Sequence, residues 1–184
     1  MGSPSVNSTG DLSNRDERMA VLVSDTSVVV DLERGRLLER AFRLPFDFAV
    51  PDLLYRRELA GPVGERLVEL GLRVEELSPD EVGAAARLAR VEASLSGPDT
   101  FAYALARSRG WLLLTGDAGL RRVATAERLE VHGLLWLVDR IEEFAAADAV
   151  VLHTALTAIS QHPRCRLPRI EMTRRLNRYS AGLG

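Results

Sequence analysis

The feature that most constrains the fold is a short apolar segment that stops abruptly at polar residues. Residues 21–23 read Val-Leu-Val, and Ser24, Asp25, Thr26 and Ser27 follow directly. A β-branched segment with this boundary predicts a strand that is buried on both faces. In an open α/β sheet the carboxyl ends of the strands face the crevice in which ligands bind. Asp25 is therefore the first candidate site residue, although taken alone it is better explained as part of the cap of a following helix.

Short apolar segments alternate with helical patterns along the rest of the chain. The predicted strands fall at residues 21–23, 46–50, 72–77, 111–115 and 129–131. The predicted helices fall at residues 28–42 with an interruption at Gly35, 51–59, 63–70, 79–94, 100–109, 118–126, 134–144, 148–161 and 168–179. This alternation predicts an α/β fold, a three-layer α/β/α sandwich with a mostly parallel central sheet.

The length and composition predict one domain with a substantial core. The chain has 184 residues, of which 46% are hydrophobic and 27% are charged, as in ordinary globular domains. Residues 1–18 are poor in apolar side chains and predict a disordered leader or a cloning remnant. We expect the folded domain over residues 19–145 and a C-terminal helical extension over residues 146–184. No segment has the roughly 18 consecutive apolar residues of a membrane span, and no signal peptide is evident, so we expect a cytoplasmic protein without a membrane partner.

Cysteine and lysine usage exclude several kinds of chemistry. Cys165 is the single cysteine, so neither an internal disulfide nor a thiolate metal site is expected. All 24 basic residues are Arg, and the formal net charge is -2. A chain without Lys is better explained by a GC-rich genome than by a ligand, but it excludes every mechanism that needs an ammonium group.

Four acidic residues fall where one edge of such a sheet can collect them. Asp25 and Asp117 follow buried strands, Asp99 lies in the first turn of a helix, and Glu58 lies late in the helix after the second strand. The first three share an edge through right-handed crossovers, whereas Glu58 requires its helix to lean over that edge. Two carboxylates about 4 Å apart repel by roughly 4 kcal/mol, so the cluster needs protons or cations. Oxygen ligands without organised His or Cys favour Mg²⁺ or Mn²⁺, which support phosphodiester hydrolysis.

At this point the motifs resemble a known family. The segments are Ser-Asp-Thr-Ser at 24–27, Val-Pro-Asp-Leu-Leu-Tyr-Arg-Arg-Glu-Leu at 50–59, Asp-Thr-Phe-Ala-Tyr-Ala-Leu-Ala at 99–106 and Leu-Thr-Gly-Asp-Ala-Gly-Leu at 114–120. They occur in the order seen in PIN-domain nucleases, and the resemblance extends from about residue 19 to 144. It implies an enzyme that uses Mg²⁺ or Mn²⁺ to hydrolyse single-stranded RNA. Many members of the family are VapC-type toxins that an antitoxin protein silences.

The resemblance assigns roles to individual residues. Asp25, Glu58, Asp99 and Asp117 match the catalytic acids of the family, and Asp25, Asp99 and Asp117 match its metal ligands. In the expected site, Asp25 and Asp117 are the principal ligands.

Two hydroxyl residues and an apolar helix complete the assignment. Ser27 and Thr115 match hydroxyl groups that orient the carboxylates. The expected partners are single-stranded RNA, an antitoxin protein and a second copy of the chain. The apolar residues around 82–95 are the expected surface for an antitoxin or a homodimer.

Each acid also has a structural explanation that is at least as strong when it is considered separately. Asp99 favours a helix N-terminus by about 0.3 to 1 kcal/mol through the helix dipole, and Glu58 is explained equally well as a solvated residue beside Arg57. The preference for a site depends on all four acids together. The C-terminal tail is rich in arginine, which indicates either a solvated helix face or a rim that contacts RNA phosphates. Its six arginines are Arg164, Arg166, Arg169, Arg174, Arg175 and Arg178.

Other functions with acids at strand ends fit the sequence less well. A response-regulator receiver requires a Lys, and an adhesion module requires a D-x-S-x-S motif that residues 25–29 lack. Neither G-x-G-x-x-G nor a Walker loop follows the first strand, so no nucleotide cofactor is expected. The alternative that remains open is a PIN-like module that binds RNA or protein without cleaving it.

Overall fold

The computed structural model describes residues 19–23, 26–163 and 165–181. Within these residues an α/β fold combines a five-stranded parallel sheet with ten α-helices and one π-helical segment. No helix of this part of the chain is both long and apolar enough to cross a bilayer.

Strands and helices alternate along most of the described chain. The strands are β1 (Met19–Val23), β2 (Phe46–Pro51), β3 (Arg73–Glu75), β4 (Leu112–Leu114) and β5 (Val131–His132). The helices are α1 (Thr26–Arg34), α2 (Leu38–Phe42), α3 (Asp52–Leu54), α4 (Pro62–Glu69), α5 (Pro79–Val91), α6 (Gly97–Arg109), α7 (Ala118–Ala126), α8 (Leu134–Glu143), α9 (Ala149–Ser160) and α10 (Arg169–Ala181). A π-helical segment, Tyr55–Leu59, follows α3 directly.

The strand order creates a crevice at one point of the sheet. The order is β3-β2-β1-β4-β5, so the chain builds β2 and β3 on one side of β1 and then crosses to β4 on the other side. Val23 and Leu114, the last residues of β1 and β4, are paired in register. Ligands of open α/β sheets bind where the strand order reverses in this way. Asp25 comes two residues after Val23 and, with Ser24, lies outside the described residues.

The apolar residues of β4 pack on both faces of the sheet. Leu112 and Leu114 join a buried cluster that includes residues of α1, α2, α8 and α9. Leu113 joins a second cluster, which includes residues of α6 and α7. Successive side chains of a strand point to opposite faces, so a strand with a cluster on each face is apolar throughout, as in other parallel sheets.

The two C-terminal helices pack on the same core as the strands. Ile159 of α9 and Tyr179 of α10 are buried in the first cluster. Gly35, just after α1, allows α9 to approach closely, because a Cβ atom at Gly35 would lie 3.0 Å from Ile159 Cδ1 and 3.3 Å from Ala155 Cβ. The domain boundary at residue 145 stays a prediction.

Two arginines of α10 form ion pairs with carboxylates of α8. Arg175 donates to both carboxylate oxygens of Asp139, at 2.8 and 2.5 Å, and Arg178 bonds to Glu142. These contacts tie α10 to α8, so Arg175 and Arg178 already have anionic partners. Arg164 lies outside the described residues.

The second helical region differs from the sequence prediction of one helix over residues 51–59. Pro51 ends β2 and caps α3, and the chain then widens into the π-helical segment that contains Glu58. Gly64 of α4 packs on this segment, because a Cβ at Gly64 would lie only 2.3 Å from the Leu59 carbonyl oxygen and 2.9 Å from Tyr55 Cε2. The absent side chain at residue 64 therefore fixes how α4 supports the backbone around Glu58.

Gly64→Ala is expected to destabilise the fold by about 2 kcal/mol, because the added methyl group forces the π-helical segment away from α4. Gly83→Ala is the matched control on α5. Its Cβ would meet only the Arg87 guanidinium, at 3.4 Å, and Ala is the better helix former by about 1 kcal/mol. Urea unfolding of both variants measures the difference, and equal midpoints would contradict the packing described for Gly64.

Candidate active site

Asp117 is fixed at the carboxyl end of β4 by two hydrogen bonds. Thr115 is fully buried just after the strand, and its Oγ1 accepts a hydrogen bond of 3.0 Å from the Asp117 amide. Asp117 in turn caps α7, since its Oδ1 accepts a hydrogen bond of 2.7 Å from the Leu120 amide. Thr115 therefore holds the backbone of Asp117, while the exposed carboxylate faces the edge of the sheet.

Glu58 reaches the carboxyl end of β1 from the π-helical segment. Its Oε2 accepts a hydrogen bond of 2.9 Å from Thr26 Oγ1, and Thr26 is the first residue of α1. The Glu58 side chain therefore leans over the sheet edge, as a shared site requires. Single π-helical turns within helices occur frequently at functional sites.

The hydroxyl that bonds to Glu58 is that of Thr26, a residue for which no role in the site was predicted. The family resemblance implies that Ser27 orients carboxylates of the site, and Thr26 is an additional hydroxyl that contacts one of them. Ser27 is exposed at the second position of α1, and its role toward a carboxylate stays a prediction. The Ser-Asp-Thr-Ser segment offers three hydroxyls, and only the helix geometry selects among them.

Asp99 lies at the third position of α6, where it forms a capping box with Ser96. Its Oδ2 accepts hydrogen bonds from the Ser96 amide at 3.1 Å and from Ser96 Oγ at 2.6 Å. Ser96 Oγ accepts from the Asp99 amide at 3.2 Å. The helix therefore begins at Gly97, three residues before the predicted start, because Ser96 caps it.

The loop before Asp99 packs against the start of α7. A Cβ atom at Gly119 would lie 3.1 Å from Asp117 Oδ1 and 3.5 Å from Leu95 Cδ2. Leu95 directly precedes Ser96, which forms the capping box with Asp99. The elements that hold Asp99 and Asp117 therefore meet at this edge.

The π-helical segment approaches the same loop from the other side. Arg57, next to Glu58, places its Nη1 atom 3.6 Å from the position that a Cβ at Gly97 would occupy. Gly97 is the first residue of α6, two positions before Asp99. The supports of Glu58, Asp99 and Asp117 thus converge on the carboxyl ends of β1 and β4.

The described acids offer part of a ligand set for a hard cation. Within the described residues, Glu58 Oε1 and Asp117 Oδ2 accept no hydrogen bond. The same residues contain no group of three or more Asp, Glu, His or Cys side chains arranged around a common point that could hold a metal ion. Asp25, the fourth acid, lies outside them, between Val23 and Thr26. Carboxylate oxygens are the donors that Mg²⁺ and Mn²⁺ prefer, so the residue types fit such an ion.

The two tryptophans are half-buried, so they are not exposed rings on which RNA bases could stack. Trp136 stacks between His132, at 4.7 Å, and Phe46, at 5.5 Å. Trp111 packs against the second cluster, and the Arg109 guanidinium lies 5.0 Å from its ring centre. The Trp136 ring is thus engaged by other aromatic rings of the protein, as expected of a residue that packs against the core.

Comparison with known proteins adds a family assignment. A family model described as a PIN domain matches residues 21–180. The matched range includes all four candidate acids, all of α9 and all but the last residue of α10. No curated protein matches the chain.

Proposed function

Because the chain belongs to the PIN-domain family, whose members are generally nucleases, we propose that it is a Mg²⁺- or Mn²⁺-dependent endoribonuclease that cleaves single-stranded RNA. The observation that carries this proposal is the pair of available carboxylate oxygens, Glu58 Oε1 and Asp117 Oδ2, on elements that meet at the switch point of the sheet. A module that only binds RNA has no need to place acids where phosphates must approach.

In this proposal Asp25 and Asp117 are the principal metal ligands and Asp99 completes the ligand set. A divalent cation held by these carboxylates would compensate the negative charge that develops on the scissile phosphate. In this proposal Glu58 Oε1 accepts a proton from the water that attacks phosphorus, the departing RNA oxygen takes a proton from solvent, and the Thr26 hydroxyl holds Glu58 Oε2. Thr115 is not a ligand in this proposal. Its hydroxyl accepts a hydrogen bond from the Asp117 amide and so orients Asp117.

Two apolar clusters on opposite faces of the sheet support the proposed three-layer α/β/α arrangement. The single Cys165 suits a reducing compartment and so favours a cytoplasmic enzyme.

We propose a toxin role because the chain has exposed apolar side chains on which an antitoxin could bind. Val91 of α5 is 78% exposed, and together with Leu88 it lines an open groove between α5, α6 and α7. Exposed apolar side chains next to a groove suit a protein partner, which is an antitoxin or a second copy of the chain. Growth arrest on expression, relieved by the product of a small neighbouring open reading frame, would support the antitoxin.

Cleavage of end-labelled RNA tests the function directly. The full chain is expected to cut single-stranded RNA internally with Mn²⁺ or Mg²⁺, to lose this activity in EDTA, and to recover it when Mn²⁺ is restored. Matched duplex RNA and single-stranded DNA should be cut more slowly. Binding without cleavage at any metal concentration would instead establish the non-cleaving module.

A further inference from the structure

Two pairs of consecutive arginines flank the candidate active site, and in each pair one member has no anionic partner in the described part of the chain. Arg56 bonds to Asp52, and Arg122 donates to Glu92 at 2.8 Å. Within the described residues, Arg57 and Arg121 form no ion pair and no side-chain hydrogen bond. Both side chains are exposed.

Arg121 reaches the edge on the β5 side of Asp117. It lies one helical turn after Asp117, whose carbonyl oxygen accepts a hydrogen bond of 3.1 Å from the Arg121 amide. A Cβ at Gly133 would lie 2.7 Å from Arg121 Nη1 and 3.5 Å from the Thr115 carbonyl oxygen. The missing side chain at Gly133 thus leaves room for this guanidinium beside the Thr115 to Asp117 turn.

Arg57 reaches the edge on the opposite side of the acids. It is adjacent to Glu58 in the π-helical segment, and its Nη1 lies next to Gly97 at the start of α6. The two unpaired guanidiniums therefore lie on opposite sides of the acids, one near β2 and one near β5. Neither forms an ion pair with Glu58 or Asp117.

We propose that Arg57 and Arg121 bind the phosphates on either side of the scissile bond and so direct a single RNA strand across the carboxyl ends of β1 and β4. This inference rests on the proposed function and names the substrate contacts of the same site. A guanidinium presents a fork of N–H donors that matches two phosphate oxygens. An arginine already engaged by a carboxylate must give up that bond first, which explains the choice of Arg57 and Arg121 over their neighbours.

The test uses the paired neighbours as matched controls. Binding of fluorescent oligouridylate is measured in EDTA, so that no cleavage occurs, over a range of salt concentrations. Arg57→Ala and Arg121→Ala should each weaken binding about tenfold at low salt and reduce the slope of log K against log salt by about 0.7, the value for one phosphate contact on a single strand. Arg56→Ala and Arg122→Ala should leave the slope unchanged. Arg121→Lys should restore the slope.

Kinetics separate this role from a structural one. With Mn²⁺, Arg57→Ala and Arg121→Ala should raise KM about tenfold and change kcat by less than about threefold, because the contacts are made in the ground state as well. Equal salt slopes for Arg121→Ala and Arg122→Ala, or no RNA binding by the unmutated chain, would overturn the inference. If the two variants lose salt dependence as stated but the unmutated chain does not cleave RNA, the assignment of Arg57 and Arg121 stands and the proposed catalysis is rejected.

Discussion

Asp117→Asn is expected to lower metal-dependent RNA cleavage at least about 100-fold while changing the free energy of unfolding by less than about 0.5 kcal/mol. Asp117 caps α7 and has the proposed role of metal ligand, and this substitution separates the two. Asn caps a helix as well as Asp does, and its amide oxygen can still accept the bond that Leu120 donates to Oδ1. The negative charge at Oδ2, however, is lost, and a cation loses a ligand.

Asp148→Asn is the matched control for this prediction. Asp148 caps α9 in the same way, through a hydrogen bond of 2.8 Å from the Val151 amide to Oδ1. Asp148 comes four residues after Phe144, which follows α8 and packs on Phe46. Because Phe46 is the first residue of β2, Asp148 lies toward the amino ends of the strands, away from Asp117. Asp148→Asn should retain full activity. Equal activity of the two variants would show that Asp117 is only a cap.

Arg109→Ala is expected to destabilise the protein by about 2–3 kcal/mol at neutral pH, because it leaves a buried carboxylate without its partner. Arg109, in the last turn of α6, donates to Glu75 at 2.6 Å and to Glu81 at 3.1 Å. It also donates to the Glu76 carbonyl oxygen at 2.9 Å. Glu81 is 5% exposed. One guanidinium thus joins α6 to β3 and to the start of α5.

The stability difference should depend on pH in a defined direction. Burial alone would raise the pKa of Glu81, but the bonds and charge of Arg109, together with the Ser78 amide, hold this pKa below its usual value of 4.5. The pKa of Glu75 is lowered by Arg109 and Arg73 against the same effect of burial. A carboxylate with a lowered folded-state pKa stabilises the fold above pH 4.5 and loses that contribution as the pH falls through the folded-state value. The penalty of Arg109→Ala should therefore shrink below about pH 4.5.

Arg107→Ala, on the same helix, is the control for Arg109→Ala. Arg107 pairs with Glu127 at 2.6 Å, but the two side chains are 56% and 50% exposed. Solvent screening limits such a pair to less than about 1 kcal/mol. Urea unfolding from pH 3 to 8 compares the variants, and similar penalties for both, or one for Arg109→Ala that is independent of pH, would refute the buried network.

Much of the architecture was predictable because it depends on short-range signals. Ser78 with Glu81 forms the capping box that begins α5, and its spacing is visible in the sequence. Helix α7 spans the predicted residues 118–126. The parallel sheet follows from apolar strands alternating with helices, and the family match confirms the resemblance to PIN domains.

The features that sequence reasoning missed depend on contacts between distant segments. The π-helical turn around Glu58 depends on Gly64, whose missing Cβ leaves room for the Leu59 carbonyl group. The hydrogen bond from Thr26 to Glu58 joins residues 32 positions apart in the chain. Arg122 has an anionic partner because Glu92 lies beside it, whereas Arg121 has none among the described residues. Periodicity and capping signals contain no information on such pairings.

The most direct test of the central claim is the initial rate at which Asp25→Asn and the unmutated chain cleave single-stranded RNA in the presence of Mn²⁺, measured alongside Asp117→Asn. Asp25 follows β1, whose last residue is paired with that of β4, and the proposed cation site uses both Asp25 and Asp117. The expected result is a loss of at least about 100-fold in each variant, with unfolding midpoints close to that of the unmutated chain. Cleavage by Asp25→Asn and Asp117→Asn at the unmutated rate would contradict the claim that these acids form the catalytic site.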